Sequence, residues 1–585
     1  MKEPFGNAPL SGAEINNRPN RRAATVMVQG TASDVGKSLI TAALCRIFAE
    51  DGYRTAPFKS QNMSLNSDVT WDGKEIGRAQ AMQADACGVA ATTDMNPILL
   101  KPTKEMASQV VVHGKPLREY EAREYRTHYL PTAERIVKES LERLRAAHDV
   151  VVLEGAGSPA EINLKDRDIV NMRMAAWADA PVILVADIDR GGVFASIVGT
   201  LELLEPDERD RVKGFVINKF RGDIKLLEPG LDWLERRTGK PVLGVMPYMP
   251  GLELEDEDSL SLRAGSDGPE PPGPYEPTPL DMLDIAVLRL PRISNFTDMD
   301  PLRFESDVRL RNVEHVEQWG RPDAVIVPGS KSVMEDLAWL RKQGLAAKLA
   351  EYAASGGTIA GICGGYEMMG TRLLDPHRTE SNVREMAALS LFPFETEFAE
   401  EKRTVRVQGM ARLRLGLPGL PVEGYEIHMG RVRWLDQPKR QPFRIWEKSL
   451  AQNDGSASSF GGESATRGDN RTGTGGESAP EGGSGTVTGT GSGTDRAPGV
   501  PEGACTEDGR VWGTFIHGIF HNDDFRRHWL NGIRSDKGLE PVEAALRFRE
   551  RREAAFGRLA GLARQHLDIG RIYRMTGLRE EEDDI

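Results

Sequence analysis

A lysine and a serine close a glycine-rich run, Gly30-Thr31-Ala32-Ser33-Asp34-Val35-Gly36-Lys37-Ser38. The run follows the strand-like stretch Thr25-Val26-Met27-Val28 and opens a helical pattern that extends from Lys37 to about Asp51. In that setting the glycines have a mechanical use: they let backbone N–H groups of the loop and of the helix N-terminus face an anion. Gly30, Thr31, Asp34 and Gly36 would line the phosphates of a nucleotide, ATP in this reading. Lys37 would reach the terminal phosphates and the Ser38 hydroxyl would ligate Mg²⁺. The spacing is G-x5-G-K-S, one residue longer than the common form. Glu154 ends the apolar run Val150-Val151-Val152-Leu153. A carboxylate there can hold Mg²⁺ beside a phosphate loop, or serve as a turn acid. Asp187 and Asp189 end another apolar run, with Arg190 close enough for an internal ion pair. Asn218 follows Phe215-Val216-Ile217 and could hydrogen-bond the nucleotide base or cap a turn. Lys59, in Phe58-Lys59-Ser60-Gln61-Asn62, is a candidate for neutralising transferred phosphate or substrate charge.

A second stretch, Ala360-Gly361-Ile362-Cys363-Gly364-Gly365-Tyr366, carries a different chemistry. An apolar strand enters a turn of small residues and then a helix, the logic of a nucleophile elbow with sulfur in place of oxygen. The helix N-terminus favours thiolate. The N–H of Gly364 could donate to an oxyanion, and Gly329, in Val327-Pro328-Gly329-Ser330, could supply a second donor. A thiolate that forms an acyl intermediate needs a base. His517, after the strand-like Val511-Trp512-Gly513-Thr514-Phe515-Ile516, is the leading candidate among only ten histidines, with His428 as runner-up.

The elements that must position these groups alternate between short apolar runs and helical patterns. This predicts α/β architecture with doubly wound parallel sheets. The first series spans residues 23–253 and a second begins near residue 282. Between them, 254–281 is rich in Pro and Gly and reads as a linker. Residues 452–503 are dominated by Gly, Ser and Thr, and read as a disordered insertion within the second domain, 282–575. Residues 1–22 read as a disordered extension and 576–585 as an acidic tail.

The whole chain has 585 residues, 39% hydrophobic and 28% charged, with a net charge of −13. An acidic chain is a poor fit for sequence-independent nucleic-acid binding. Cys45, Cys87, Cys363 and Cys505 are far apart, which fits a reducing cytoplasm better than a disulfide scaffold or a zinc site. Neither a secretory h-region nor a membrane span is visible. Oligomeric state stays open.

Further strings carry a resemblance. They are QGTASDVGKS at Gln29, PFKSQNM at Pro57, GRAQAMQA at Gly77 and NPILLKPT at Asn96. They continue with LEGAGSPAEINL at Leu153, RDIVNM at Arg167, VADIDRGGVFAS at Val185, INKFRGD at Ile217, ISNFTD at Ile293 and GYEIHMG at Gly424. Together with the two motifs above, these resemble the cobyric acid synthase family, through most of the chain. The resemblance implies an N-terminal dethiobiotin synthetase-like ATP domain and a C-terminal class I-like glutamine amidotransferase domain. It implies glutamine and adenosylcobyrinic acid a,c-diamide as substrates, with ATP and Mg²⁺ driving amidation of the b, d, e and g carboxylates. Triad amidotransferases usually carry His-x-Glu; here Ile519 stands two past His517, so the group that orients the histidine is left open, with Glu426 one possibility. The alternatives are cobyrinic acid a,c-diamide synthase, a regulatory P-loop ATPase, and a degenerate amidotransferase that only binds.

Overall fold

The computed structural model describes residues 22–104, 107–121, 130–254, 278–413, 419–436, 440–448, 499–543 and 546–578. The first sheet holds β1 (Ala24–Gly30), β2 (Thr55–Phe58), β3 (Val150–Glu154), β4 (Val182–Asp187), β5 (Val212–Phe220) and β6 (Val242–Pro247), in the order β6-β5-β4-β1-β3-β2. Every pairing is parallel. β3 and β4 are nearly continuous runs of Val, Ile and Leu, and the strands are largely buried because helices cover both faces. β1 lies at the centre of the sheet, and its C-terminal end delivers the glycine-rich loop into helix α1 (Lys37–Glu50). Helix α2 (Arg78–Ala86) packs beside α1.

The second sheet contains β7 (Leu283–Leu288), β8 (Val308–Val313), β9 (Ala324–Val327) and β10 (Thr358–Ile362). A third sheet is built on two long antiparallel strands, β11 (Phe394–Ala411) and β12 (Leu420–Trp434). The chain then returns to the second sheet as β13 (Ala504–Cys505) and β14 (Val511–Thr514), giving the order β8-β7-β9-β10-β14-β13. Helix α3 (Gly364–Glu367) follows β10 directly. The doubly wound α/β expectation therefore holds for both of these sheets, the second carrying one antiparallel edge strand, β13. The third sheet, mostly antiparallel, is absent from the sequence reading: β11 and β12 carry many charged residues, and their burial pattern is irregular rather than strictly alternating.

Two expected boundaries are corrected. The sequence reading places residues 548–575 in the second domain, yet α4 (Phe548–His566) and α5 (Ile569–Thr576) lie on the first. Phe556, Leu559, Ala560, Ala563, Ile572 and Tyr573 are buried in one cluster with Val26, Val28, Leu44 and Phe48. Ion pairs flank that contact, Arg46 to Glu553 at 2.6 Å and Arg564 to Asp51 at 2.7 Å. An amphipathic helix goes wherever its apolar stripe finds a partner, and here the free face is that of α1. The insertion expected over 452–503 also ends too late: Val500–Glu502 is a strand paired with Phe443–Glu447. Its buried Glu502 accepts hydrogen bonds from Thr514 Oγ1 (2.6 Å) and Phe515 N (2.7 Å). The rest of that insertion, and most of the expected extension, linker and tail, lie outside the described residues.

The two domains meet along the β11–β12 hairpin. Lys402 Nζ donates to Glu75 Oε2 (2.6 Å), and Lys101 Nζ donates to Glu75 Oε1 (2.6 Å). Arg406 reaches Asp68 Oδ1 (3.0 Å) and the carbonyl of Val69 (2.6 Å). Burial lowers the Lys402 ammonium to a pKa of about 8 against the pull of Glu75. Among the described residues no helix is long and apolar enough to cross a membrane.

Candidate active site

The phosphate loop is a backbone cradle stiffened by a few side chains. Asp34 (φ 57) and Gly36 (φ 95) take left-handed backbone conformations. A Cβ at Gly36 would come within 2.1 Å of Asn218 Nδ2, so glycine is needed there for space as well as torsion. Asn218 itself donates to Val35 O (2.9 Å). It thus braces the loop through its side-chain amide. Lys37 Nζ donates to Ala32 O (2.8 Å) and to Gly157 O (3.2 Å), which holds the lysine over the loop and beside the turn after β3.

Glu154, at the end of β3, gathers three donors. Ser38 Oγ lies 3.0 Å and Lys59 Nζ 2.9 Å from its Oε1, and Gln83 Nε2 lies 2.6 Å from its Oε2. Lys59 is only 3% exposed and Glu154 only 1%, so neither is a solvated surface charge. Gln83, on α2, was not singled out from the sequence, although it stands in GRAQAMQA. The Asp187 carboxylate pairs chiefly with Lys219 (2.8 Å), while Arg190 stays 3.9 Å away. Asp189 pairs with Arg221 at 2.9 Å. A hydroxyl and a carboxylate oxygen side by side next to a phosphate cradle are hard donors of the kind Mg²⁺ takes, with phosphate oxygens and waters completing its shell. Ser38 and Glu154 therefore fit that ion.

The second site forms where β10 turns into α3. Cys363 has φ 49 and ψ −110, a strained backbone for a non-glycine residue. Such strain costs about 1–3 kcal/mol and persists only where surroundings impose it. Here Cys363 N donates to Thr514 O (2.8 Å) and Cys363 O accepts from Glu367 N (2.9 Å). The flanking glycines permit the turn: a Cβ on Gly365 would sit 1.9 Å from Val327 O. Gly364 packs against Ser330, and Gly329 lies against His517, its Cβ position only 3.2 Å from the ring Cε1. The turn after β9 therefore lies against both the start of α3 and the His517 ring.

His517 follows β14 and is 1% exposed. Its Nδ1 lies 2.7 Å from Asp298 Oδ2, while Asp298 Oδ1 accepts from Gly518 N (2.8 Å). Its ring stacks on Tyr425, centroids 5.4 Å apart, and the two residues bridge their backbones at 2.8 and 3.2 Å. Burial disfavours the charged imidazole, but the negative charges of Asp298 and then of Cys363 raise it to a pKa of about 10; the Cys363 sulfur itself donates to Ile427 O at 3.5 Å. The structure thus brings Cys363 and His517 within electrostatic reach of each other and sets Asp298, which sequence reading missed, against the histidine. The residue was visible inside ISNFTD, but it lies 219 positions from the histidine, and spacing cannot reveal such a pair. Glu426 does not fill that place; it pairs with Arg403 and faces His428 at 4.0 Å. His428 stacks on Phe515 and bonds Gly430 O (2.8 Å).

Comparisons with known proteins agree with both halves. Residues 26–262 match the model of the CobQ/CobB/MinD/ParA nucleotide binding domain, and residues 284–474 match that of the CobB/CobQ-like glutamine amidotransferase domain. The chain is 46% identical to the cobyric acid synthase of Geobacillus kaustophilus over 557 residues, covering 95% of this chain and 98% of the relative. It is 48% identical to that of Sorangium cellulosum over 572 residues, covering 95% and 99%. The cobyric acid synthase of Yersinia enterocolitica is 46% identical, with coverage of 95% and 99%. The chain belongs to the cobyric acid synthase family, the glutamine-dependent amide ligases of cobalamin synthesis.

Proposed function

We propose that this chain amidates the b, d, e and g carboxylates of adenosylcobyrinic acid a,c-diamide, with ammonia taken from glutamine and carboxylate activation by ATP. The observation that carries the reading is the pairing in one chain of a strained cysteine beside an Asp-oriented histidine with a separate phosphate cradle. Residues 23–253 with the last two helices form the activating unit, and residues 282–543 form the glutaminase.

In the glutaminase, the Cys363 sulfur attacks the glutamine side-chain amide. His517, held by Asp298, gives a proton to the departing nitrogen, and ammonia leaves. The amides of Gly329 and Gly364 stabilise the oxyanion. Water then releases glutamate from the thioester with His517 as base. In the activating unit the substrate carboxylate attacks the γ-phosphoryl group of ATP, forming an acyl phosphate and ADP. The activation is necessary because a carboxylate attacked by ammonia would have to expel oxide. Ammonia adds to the acyl phosphate, a proton is lost, and phosphate departs to leave the amide. Lys37 and Lys59 neutralise the phosphoryl group in transit, and Asn218 keeps the loop in shape. Ser38 and Glu154 would hold Mg²⁺, which when bound would supply positive charge against the phosphate oxygens.

The test is product mass after incubation with ATP, Mg²⁺, the a,c-diamide and amide-¹⁵N glutamine. The reading requires label at every newly formed amide and one ADP for each. A product whose newly formed amides lack the label, or no product unless a different corrinoid is supplied, overturns it.

A further inference from the structure

The supports of His517 reach across the domain interface. Asp298 sits in the turn Phe296–Met299, and that turn begins at Asn295, a buried residue with φ 51. Its entry is fastened by the first domain: Phe296 N donates to Asn66 Oδ1 (3.3 Å), and Ser67 N donates to Asn295 Oδ1 (2.9 Å). Tyr425, which stacks on His517, is fastened to the same two residues. Its hydroxyl donates to Ser67 O (3.1 Å) and accepts from Asn295 Nδ2 (3.4 Å). Asn66, Ser67, Asn295 and Tyr425 are all buried, so water cannot replace these bonds cheaply.

The segment is held from behind as well. Arg78 N donates to Asn66 O (3.1 Å), Arg78 Nη1 to Asp68 Oδ2 (2.7 Å), and Lys101 Nζ to Ser67 Oγ (3.0 Å). Arg78 opens α2, the helix whose Gln83 donates to Glu154 beside Ser38.

We propose that Asn66 and Asn295 are positioning residues of the glutaminase, fixing the Asp298 turn and the Tyr425 ring only when the nucleotide-binding domain is docked. This rests on the glutaminase reading of the Cys363 site. Neither residue needs to touch glutamine; each acts through the orientation of His517. A base displaced by a fraction of an ångström loses rate without losing substrate affinity. The chain would thereby release little ammonia unless the domain that consumes it is in place.

The test uses the full-length chain and two assays, glutamate release from glutamine and ATP-dependent amidation with ammonium chloride. Asn66→Ala should lower kcat for glutamate release about 10- to 100-fold, leave KM for glutamine unchanged, and leave ammonium-dependent amidation at the wild-type rate. Asn66→Asp, which keeps an acceptor for Phe296 N, should recover most of the loss. Tyr425→Phe, which keeps the stacked ring and removes only the hydroxyl, should show a smaller fall in kcat. Wild-type kcat in Asn66→Ala overturns the proposal. So does equal loss of both activities, or an Asn66→Asp variant as impaired as Asn66→Ala, since general packing would then suffice. A wild-type chain that releases no glutamate overturns the underlying glutaminase reading instead.

Discussion

The phosphate loop and the thiol elbow are both turns between a parallel strand and a helix, but they lean on different parts of the molecule. The loop is braced within its own domain, by Asn218 beneath it, by the carbonyls of Ala32 and Gly157 that hold Lys37, and by Glu154 beside Ser38. The elbow sulfur is likewise set locally, through Thr514 and the glycines around Cys363. Its base is not. His517 depends on Asp298 and Tyr425; the turn carrying Asp298 is tied to Asn66 and Ser67 in the other domain, and Tyr425 is tied to Ser67. An anion cradle made of backbone can be completed by a short stretch of chain, whereas a proton-transferring pair needs side chains brought from distant segments.

Substitutions can break this asymmetry in order of size. Lys37→Ala removes the charge over the transferred phosphoryl group. Amidation from either glutamine or ammonium should fall on the order of 10³-fold, followed as ADP release and product mass. Retention of either activity would detach the loop from the chemistry. Asp298→Asn should lower glutamate release on the order of 10²-fold while sparing ammonium-dependent amidation. It also has a pH signature. Against the effect of burial, Asp298, together with Cys363, raises the proton affinity of His517 to a pKa of about 10. Without that negative charge the ring loses its proton at lower pH, so the alkaline limb of the glutamate-release profile should move toward acid. An unmoved limb would deny Asp298 its role.

The smallest effect concerns docking. Lys402→Met leaves Glu75 to Lys101 alone at the buried interface. It should destabilise the chain by about 3 kcal/mol, read as a lowered Tm. If the thiol site needs the interface and the phosphate loop does not, glutamate release should also fall more than ammonium-dependent amidation. Equal falls would erase the contrast.

What could be read from the sequence follows the same division. The loop from Gly30 to Ser38 and the elbow around Cys363 are contiguous, and apolar strands announce them. Glu154 and Lys59 could be placed at strand ends, and the structure brings them within 2.9 Å of each other. Asp298 was hidden because the contact closes across 219 residues, and an aspartate in a turn has many ordinary uses. Gln83 was hidden because one polar residue in an Ala-rich helix carries no signal of where it points. The homes of α4 and α5 were misread for a related reason. Their apolar stripe shows that they dock, but not on which sheet.

The central claim is that two separate chemistries share this chain, and Cys363→Ser tests it most directly. With ATP, Mg²⁺ and the corrinoid supplied, the variant should make no amide from glutamine yet should amidate with ammonium chloride at close to the wild-type rate. A folded variant that fails with both nitrogen sources, or still uses glutamine, would contradict the account.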